Sequence, residues 1–518
     1  MENNENNVVE NKPKKKKDYY FLIPIVIYII VMAGSVIIYA PFILFFAFLF
    51  AIADGAHNYY NEGYTPTPAE EYVENYDNNE NNIINNVFEN CSDIYCYLTK
   101  SDKKAVTIEF VDYIEGNNYK TYRDYKGNDV SVWMDDGNHL FFGLKDKKIV
   151  LYPNSSRLFD GYGNLTSINF ANIDTSNVVD YSYMFSGDRE LISLDLSNFD
   201  TKKATNMNRM FNSTNKLTDL KQNFDTSKVI NMASMFSSSG LQEIDISNFN
   251  FSKVTDMSNM FFYADALTIN LGNSKTDNLV KMDGIFWGTE VTTLDLSIFN
   301  TSHVTSMNDL FNGTKVTSLD LSNFDTKNVK SFSGMFAGAS KLNSLDLSNF
   351  DTTNATSMSK MFYYASGLTS INLSSFDTRN VTDMSDMFYH VNAKNLNFKN
   401  FDFSKVTDAS GMFAGANISG LDIANFNTEN LEDASYMFIS ARFDKVDISK
   451  WNLSKLKNAK SMFQNAYIGE VNLGDHEFEN VDTDKMFFQY NKKIVVRTNT
   501  DKFYGKLKTE YPDLVINP

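Results

Sequence analysis

Cysteine is almost absent. Cys91 and Cys96 are the two in 518 residues, which excludes a disulfide-stapled scaffold and a cysteine-built zinc site. Proline is scarce at 8, while Asn, Asp, Ser and Thr abound, a composition of polar turns joining short elements. Positive charge is in deficit, with 47 Lys and Arg against 64 Asp and Glu and a net charge of −17. Such a chain is a poor nucleic-acid binder, because displacing counterions takes Lys and Arg. The five histidines, His57, His139, His303, His390 and His476, are scattered without metal-ligand spacing. Neither a phosphate-cradling glycine loop nor a G-x-S-x-G elbow occurs. These absences predict no catalytic residue, no cofactor and no metal site, and so a protein that is not an enzyme. The 43% hydrophobic and 21% charged content is that of a folded chain, so wholesale disorder is excluded as well.

Charge is missing altogether from residues 21–53, an apolar run of 33 residues. A bilayer core needs about 20 helical residues and a signal-peptide core only about 7–15, so the run predicts a transmembrane anchor. Two alternatives stand beside it. Ala51-Ile52-Ala53 has the form of a cleavage site, and Pro41 could turn the run into a hairpin, though with arms short of a full span. Lys12 and Lys14 to Lys17 precede the run, whereas Asp54 to Asn90 holds eight acidic residues and no Lys or Arg. The positive-inside rule then makes residues 1–20 a basic cytoplasmic N-terminus and places all that follows the single span outside the cell. Elsewhere in a chain, KPKKKK would suggest a nuclear-localisation or nucleic-acid patch; against the span it favours the anchor. Residues 54–97, acidic, Asn-rich and without periodicity, are expected to be a flexible stalk.

What the chain has in quantity is repetition. A Met-Phe pair, or a close substitute, recurs with its Phe at 185, 211, 236, 261, 286, 311, 336, 362, 388, 413, 438, 463 and 487. Leu158-Phe159 lies one period upstream as a degenerate first unit. In the unit from Leu342, L-x-x-L-x-L alternates apolar and polar residues as a half-buried strand does. A polar turn follows around Phe350, and then Ala355, Met358 and Met361-Phe362 return to the interior. Met and Phe at a fixed phase are core filler rather than a lipid or cofactor site. One such unit cannot bury its own faces, and stacked units can. The predicted fold is therefore a repeat solenoid of about thirteen coils over 156–487. It is expected to be a leucine-rich-repeat-like right-handed stack of short parallel β-strands with turns or short helical turns.

Exposed solenoid ends need caps. Residues 98–155, with AVTIEF, VSVWM, HLFFGL and IVLY separated by turn signals, predict a β-rich N-terminal cap module. Residues 488–518 read as strand, helix and strand, with N-cap candidates at Thr498 to Thr500 and Asp501. Two shortened repeats, Leu220–Phe224 and Leu267–Leu271, are expected to kink the stack.

The units Leu191 to Phe211, Val291 to Phe311, Val316 to Phe336 and Leu368 to Phe388 closely resemble the LTSLDLSNFDTSNVTDMSxMF repeat of BspA-type leucine-rich-repeat surface proteins. WMDDG at 133–137 is similar to that family's lead-in to the array. The resemblance implies a cell-surface location and adhesion to host proteins or neighbouring cells, and it names no ligand. The N-terminal anchor departs from many relatives. A structural envelope protein that self-associates without a foreign ligand is the alternative.

The wet position of the strand carries Asn169, Asp195, Asp245, Asn270, Asp295, Asp320, Asp346, Asn372, Asn397, Asp422, Asp447 and Asn472. In register these form a ladder. Its aspartates would meet cations or basic partners, or they simply keep a strand face solvated and averse to edge association. Cys91 and Cys96 are expected to pair if the chain enters an oxidising space. N-x-S/T sequons such as Asn164, Asn212, Asn300 and Asn312 matter only in a cell that glycosylates.

Overall fold

The computed structural model describes residues 92–517 except 101–102, 115, 117, 394–395, 419–420 and 490–493. The basic N-terminus, the anchor at 21–53 and the stalk as far as residue 91 lie outside the described residues. Among the described residues no helix is long and apolar enough to cross a membrane.

The cap module opens with α1 (Ile94–Lys100), which buries Ile94 and Leu98, one helical turn apart. This corrects the expected stalk boundary at residue 97: seven residues with two apolar contacts carry too little periodicity to stand out in sequence. Strands β1 (Thr107–Val111), β3 (Asp129–Met134), β4 (His139–Gly143) and β5 (Ile149–Val150) fall on the four expected runs. β2 (Lys120–Arg123) does not; its residues are mostly exposed, so no apolar run marks it. β2, β3 and β4 pair antiparallel, and β4 pairs parallel with β1. β1 in turn pairs parallel with β6 (Ser167–Asn169), the strand of the first repeat, and β5 pairs parallel with β7 (Ile173–Asp174). The cap is thus the first part of the repeat sheet, with its side chains in the same core.

Every named strand pairing within the repeats is parallel and one coil apart. β8 (Ser193–Leu196) pairs with β9 (Asp219–Gln222), β10 (Glu243–Asp245) with β11 (Thr268–Asn270), and β12 (Ser344–Asp346) with β13 (Ser370–Asn372). β14 (Arg442–Asp447) and β15 (Tyr467–Asn472) continue into β16 (Val495–Arg497) and β17 (Val515–Asn517) of the C-terminal cap. Leu345, flanked by exposed Ser344 and Asp346, shows the expected alternation of buried and wet side chains. This is a repeat solenoid. The shortened repeat at Leu220 keeps register, with Leu196 opposite Gln222, and the Gln222 side chain accepts the Phe224 N–H at 2.9 Å. The sheet that runs from the cap ends at β9, and β10–β11 forms a separate sheet. The missing residue leaves the β8–β9 register intact.

A second side of the coils carries a parallel ladder of single bridges, from Asn154–Asp180 to Asp256–Lys281 and again from Ser306–Ser331 to Asn458–Asp482. It continues through the Met-Phe segment: Met307, Asp309, Phe311 and Gly313 donate N–H groups to Ser331, Ser333, Met335 and Ala337 of the next coil at 2.6–3.0 Å. Two left-handed residues per coil, such as Asp309 and Gly313, shape this segment into turns rather than a helix.

The interior is ordered as columns. Phe159, Phe185, Phe211 and their successors to Phe487 form one unbroken stack. Near the middle of it, Phe311 stacks on Phe286 and on Phe336 with centroids 5.8 Å apart on both sides. A second column is polar. Thr326 is 1% exposed, its Oγ1 accepts the Asp351 N–H at 2.8 Å and donates to the Asp351 carbonyl at 3.0 Å. Thr301, Thr352 and Thr378 repeat this clamp on the following coil.

At the C-terminal end α2 (Asp501–Glu510) packs Phe503 and Leu507 against the last coil. Strand, helix and strand appear in the expected order. Thr500 is the N-cap, but its side chain makes no capping hydrogen bond.

Candidate interaction surface

The Asp/Asn column stands in register on the strand face, with Asp346 opposite Asn372, Asp245 opposite Asn270 and Asp447 opposite Asn472. Each aspartate also has a local task. The carboxylates of Asp195, Asp245, Asp295, Asp320, Asp346, Asp422 and Asp447 accept the N–H two residues on, at 2.9–3.4 Å. Asn169, Asn270, Asn372, Asn397 and Asn472 do the same with their amide oxygens. These Asx turns bend the chain out of the strand. A D-x-S spacing in the repeat is the sequence signal for them, and it explains the preference for Asp or Asn without any ligand. Hydrogen bonds from Ser197 and Ser322, first from the hydroxyl and then from the backbone, hold the exposed Asp195 and Asp320 below the ordinary carboxylate range. Between coils, Asn372 donates to Asp346 at 2.9 Å and Asn472 to Asp447 at 3.0 Å, which relieves like-charge contact along the ladder. Lys221 takes the rung beside Asp195, 3.9 Å away. All seven aspartates line one face. Six are exposed, and Asp447 is half-buried.

Large exposed rings mark another line, which sequence reading alone did not pick out. It follows the second left-handed position of each coil. Tyr263 donates its N–H to the Trp287 carbonyl, Gly288 to Asn312, Gly313 to Ala337, Gly338 to Tyr363, Tyr364 to Tyr389 and His390 to Ala414, all at 2.6–2.8 Å. These residues are therefore consecutive rungs. Tyr263 packs on Phe262 at 4.7 Å, and Phe262 on Trp287 at 5.0 Å. Four coils on from Tyr263, Tyr364 contacts Tyr363 and Tyr389 and stacks on His390, with centroids 4.8 Å apart and planes 9° from parallel. Between the two groups the rungs hold only Asn312-Gly313 and Ala337-Gly338. Residues 25 or 26 apart become neighbours only once the register is known, which hid this arrangement.

Beneath the second group lies Asp386. Burial pushes its carboxyl up to about 6, Lys360 opposes this, and Asp408 and Asp383 add to it. The folded pKa is above the ordinary value, so the folded protein takes up this proton at a higher pH than the unfolded chain. Stability from this group is then gained as pH falls through about 6 and is absent above it. Asp386→Asn is expected to stabilise the protein at pH 7.5 by on the order of 2 kcal/mol, a gain that vanishes by about pH 4. Thermal melts of both proteins across that range measure it.

A cleft of about 520 Å³ opens beside Trp451, Leu453 and Phe478, where Leu453 replaces the clamping threonine. Glu477 and Glu479 on its rim are both bridged by Lys502 of α2. Cys96 on α1 is disulfide-bonded, and Cys91 lies outside the described residues. Among the described residues no group of His, Cys, Asp or Glu converges as metal ligands.

No curated protein matches this chain. Among solved structures it is similar to the functional domain of InlJ from Listeria monocytogenes, which includes a cysteine ladder. That likeness has 14% identity, 65% of this chain and 70% of the other covered, and a TM-score of 0.20. It is also similar to TLR13 in its complex with ssRNA13, at 12% identity, covering 73% of this chain and 59% of that one, with a TM-score of 0.17. Scores this low carry no weight for shape or function. The repeat array is decisive, because residues 153–271, 182–297, 280–401 and 392–500 each match one family and together span more than half of the 518 residues. This chain belongs to the family described as "Mycoplasma protein of unknown function, DUF285".

Proposed function

We propose that this is a membrane-anchored cell-surface protein whose solenoid binds proteins or neighbouring cells. The observation that carries the reading is the unbroken phenylalanine column, which keeps the coils in phase and repeats the same exposed positions at about 4.8 Å intervals along one face. Extended regular faces of this kind are what repeat proteins use for recognition, and weak contacts along them add by avidity. The uncharged run at 21–53 and the lysines before it support an anchor with the repeats outside the cell. The BspA-type resemblance of the repeats supports adhesion. In that oxidising setting the disulfide of Cys96 pairs with Cys91, the one other cysteine of the chain.

Protease added to intact cells tests the topology. It is expected to remove the repeats and leave a small membrane-bound fragment, whereas repeats protected until lysis reverse the orientation. Solid-phase binding of the purified protein to matrix proteins and whole cells tests the function. Saturable binding to one of them supports adhesion. Ordered self-assembly with no foreign binding replaces it with the structural envelope alternative.

A further inference from the structure

We propose that the gap between the two aromatic groups is a binding trough for an uncharged glycan chain. This goes beyond protein adhesion and stands or falls separately from it. Glycines alone would say nothing here, because the left-handed backbone at these rungs already favours glycine. The exposed rings point to a ligand. Tyr263 is 54% exposed and Tyr364 is 41% exposed, and both stand on the same line of rungs. Neither ring position is forced by the backbone, since Ser213, Ser238, Ser440 and Asn465 occupy the same left-handed site in other coils.

Tyr263 leans over Gly288, so a side chain there would collide with its ring. Gly288 to Tyr364 is three rungs, or about 14 Å at strand spacing. Over that distance Asn312, Gly313, Ala337 and Gly338 form a low floor with a ring at each end. Three charged groups border the strip: Asp309, whose carboxylate accepts from Asn312 at 2.8 Å, Lys360 beside the Tyr363 ring, and Asp386 beneath Tyr389. Its rung pairs, from Phe262-Tyr263 to Tyr389-His390, contain no Asp, Glu, Lys or Arg. Burial holds His390 below its ordinary pKa and so neutral. In a chain of net charge −17, a strip with no cation in its floor disfavours anionic ligands, and it offers cations less than the carboxylate ladder does. Pyranose rings fit this chemistry. Their C–H faces stack on the electron-rich faces of tyrosines, and their hydroxyls need partners such as the side-chain carbonyl of Asn312, whose amide nitrogen donates to Asp309.

The test uses the full chain in a detergent without a sugar headgroup, titrated with maltohexaose, cellohexaose and chitohexaose. Tryptophan fluorescence, which reports on Trp287 in the wall, and calorimetry give the readout. Saturable binding to at least one of these sugars is expected. Tyr263→Ala and Tyr364→Ala should each weaken it about tenfold. Gly313→Tyr should abolish it by filling the trough, and tyrosine is already accommodated at this rung in Tyr263 and Tyr364. Melting temperatures should not move in the tyrosine variants. Three results overturn the proposal: no binding to any neutral sugar by folded protein, binding unchanged in all three variants, or binding confined to sulfated or sialylated glycans or to a proline-rich peptide.

Discussion

Replacing Phe311 with alanine is expected to destabilise the repeat array by about 3–5 kcal/mol. The ring is fully buried, and coils on both sides pack on it through stacked Phe286 and Phe336. Removing it leaves a cavity that the neighbours cannot easily close, because each is held in place by the next ring of the column. In a solenoid the loss is shared through nearest-neighbour contacts. Amide protection should therefore fall in the coils of Phe286 and Phe336 as well, and least at the two caps. Hydrogen exchange along the chain, together with a melting curve, measures both the size and the spread. An unchanged melt would mean that Phe311 does not lie in the core column.

Thr326→Val is expected to cost about 1–3 kcal/mol although it keeps the volume of the side chain. Oγ1 of Thr326 serves both the N–H and the carbonyl of Asp351, and valine leaves that N–H unpaired at a partly buried position. Thr326→Ser retains the hydroxyl and should recover most of the loss, which separates the hydrogen bonds from packing. Exchange at the Asp351 amide is the sharpest readout. The chain itself tolerates apolar residues at this phase, at Phe251, Phe403, Leu453 and Phe478. Leu453 lines the open cleft against Phe478.

The period of the Met-Phe pair made the solenoid legible, because a buried column demands the same residue type at every turn. Leu158-Phe159 was legible as a first unit for the same reason, and Phe159 does begin the stack. The columns that join the coils were harder to see. The D-x-S and F-D-T phases were plainly repeated, but which group each side chain reaches depends on backbone direction. Hence the aspartates stood out as a charged ladder before they could be recognised as Asx turns. Elements without a period were missed: α1 rests on Ile94 and Leu98 alone, and β2 is mostly exposed. The aromatic trough was invisible for a third reason, since its walls, Tyr263 and Tyr364, are four coils apart in sequence and come to face one strip only through the register.

The account holds above all that the stacked coils are themselves the binding surface. Val291 to Lys315 makes one whole coil, so its deletion preserves the phase of all that follows. Binding of the full chain to its best surface, compared with chains lacking one such coil and then two, tests this most directly. The account predicts folded proteins whose binding falls step by step with each coil removed. Undiminished binding by the shortened, folded chains would contradict it and place recognition elsewhere.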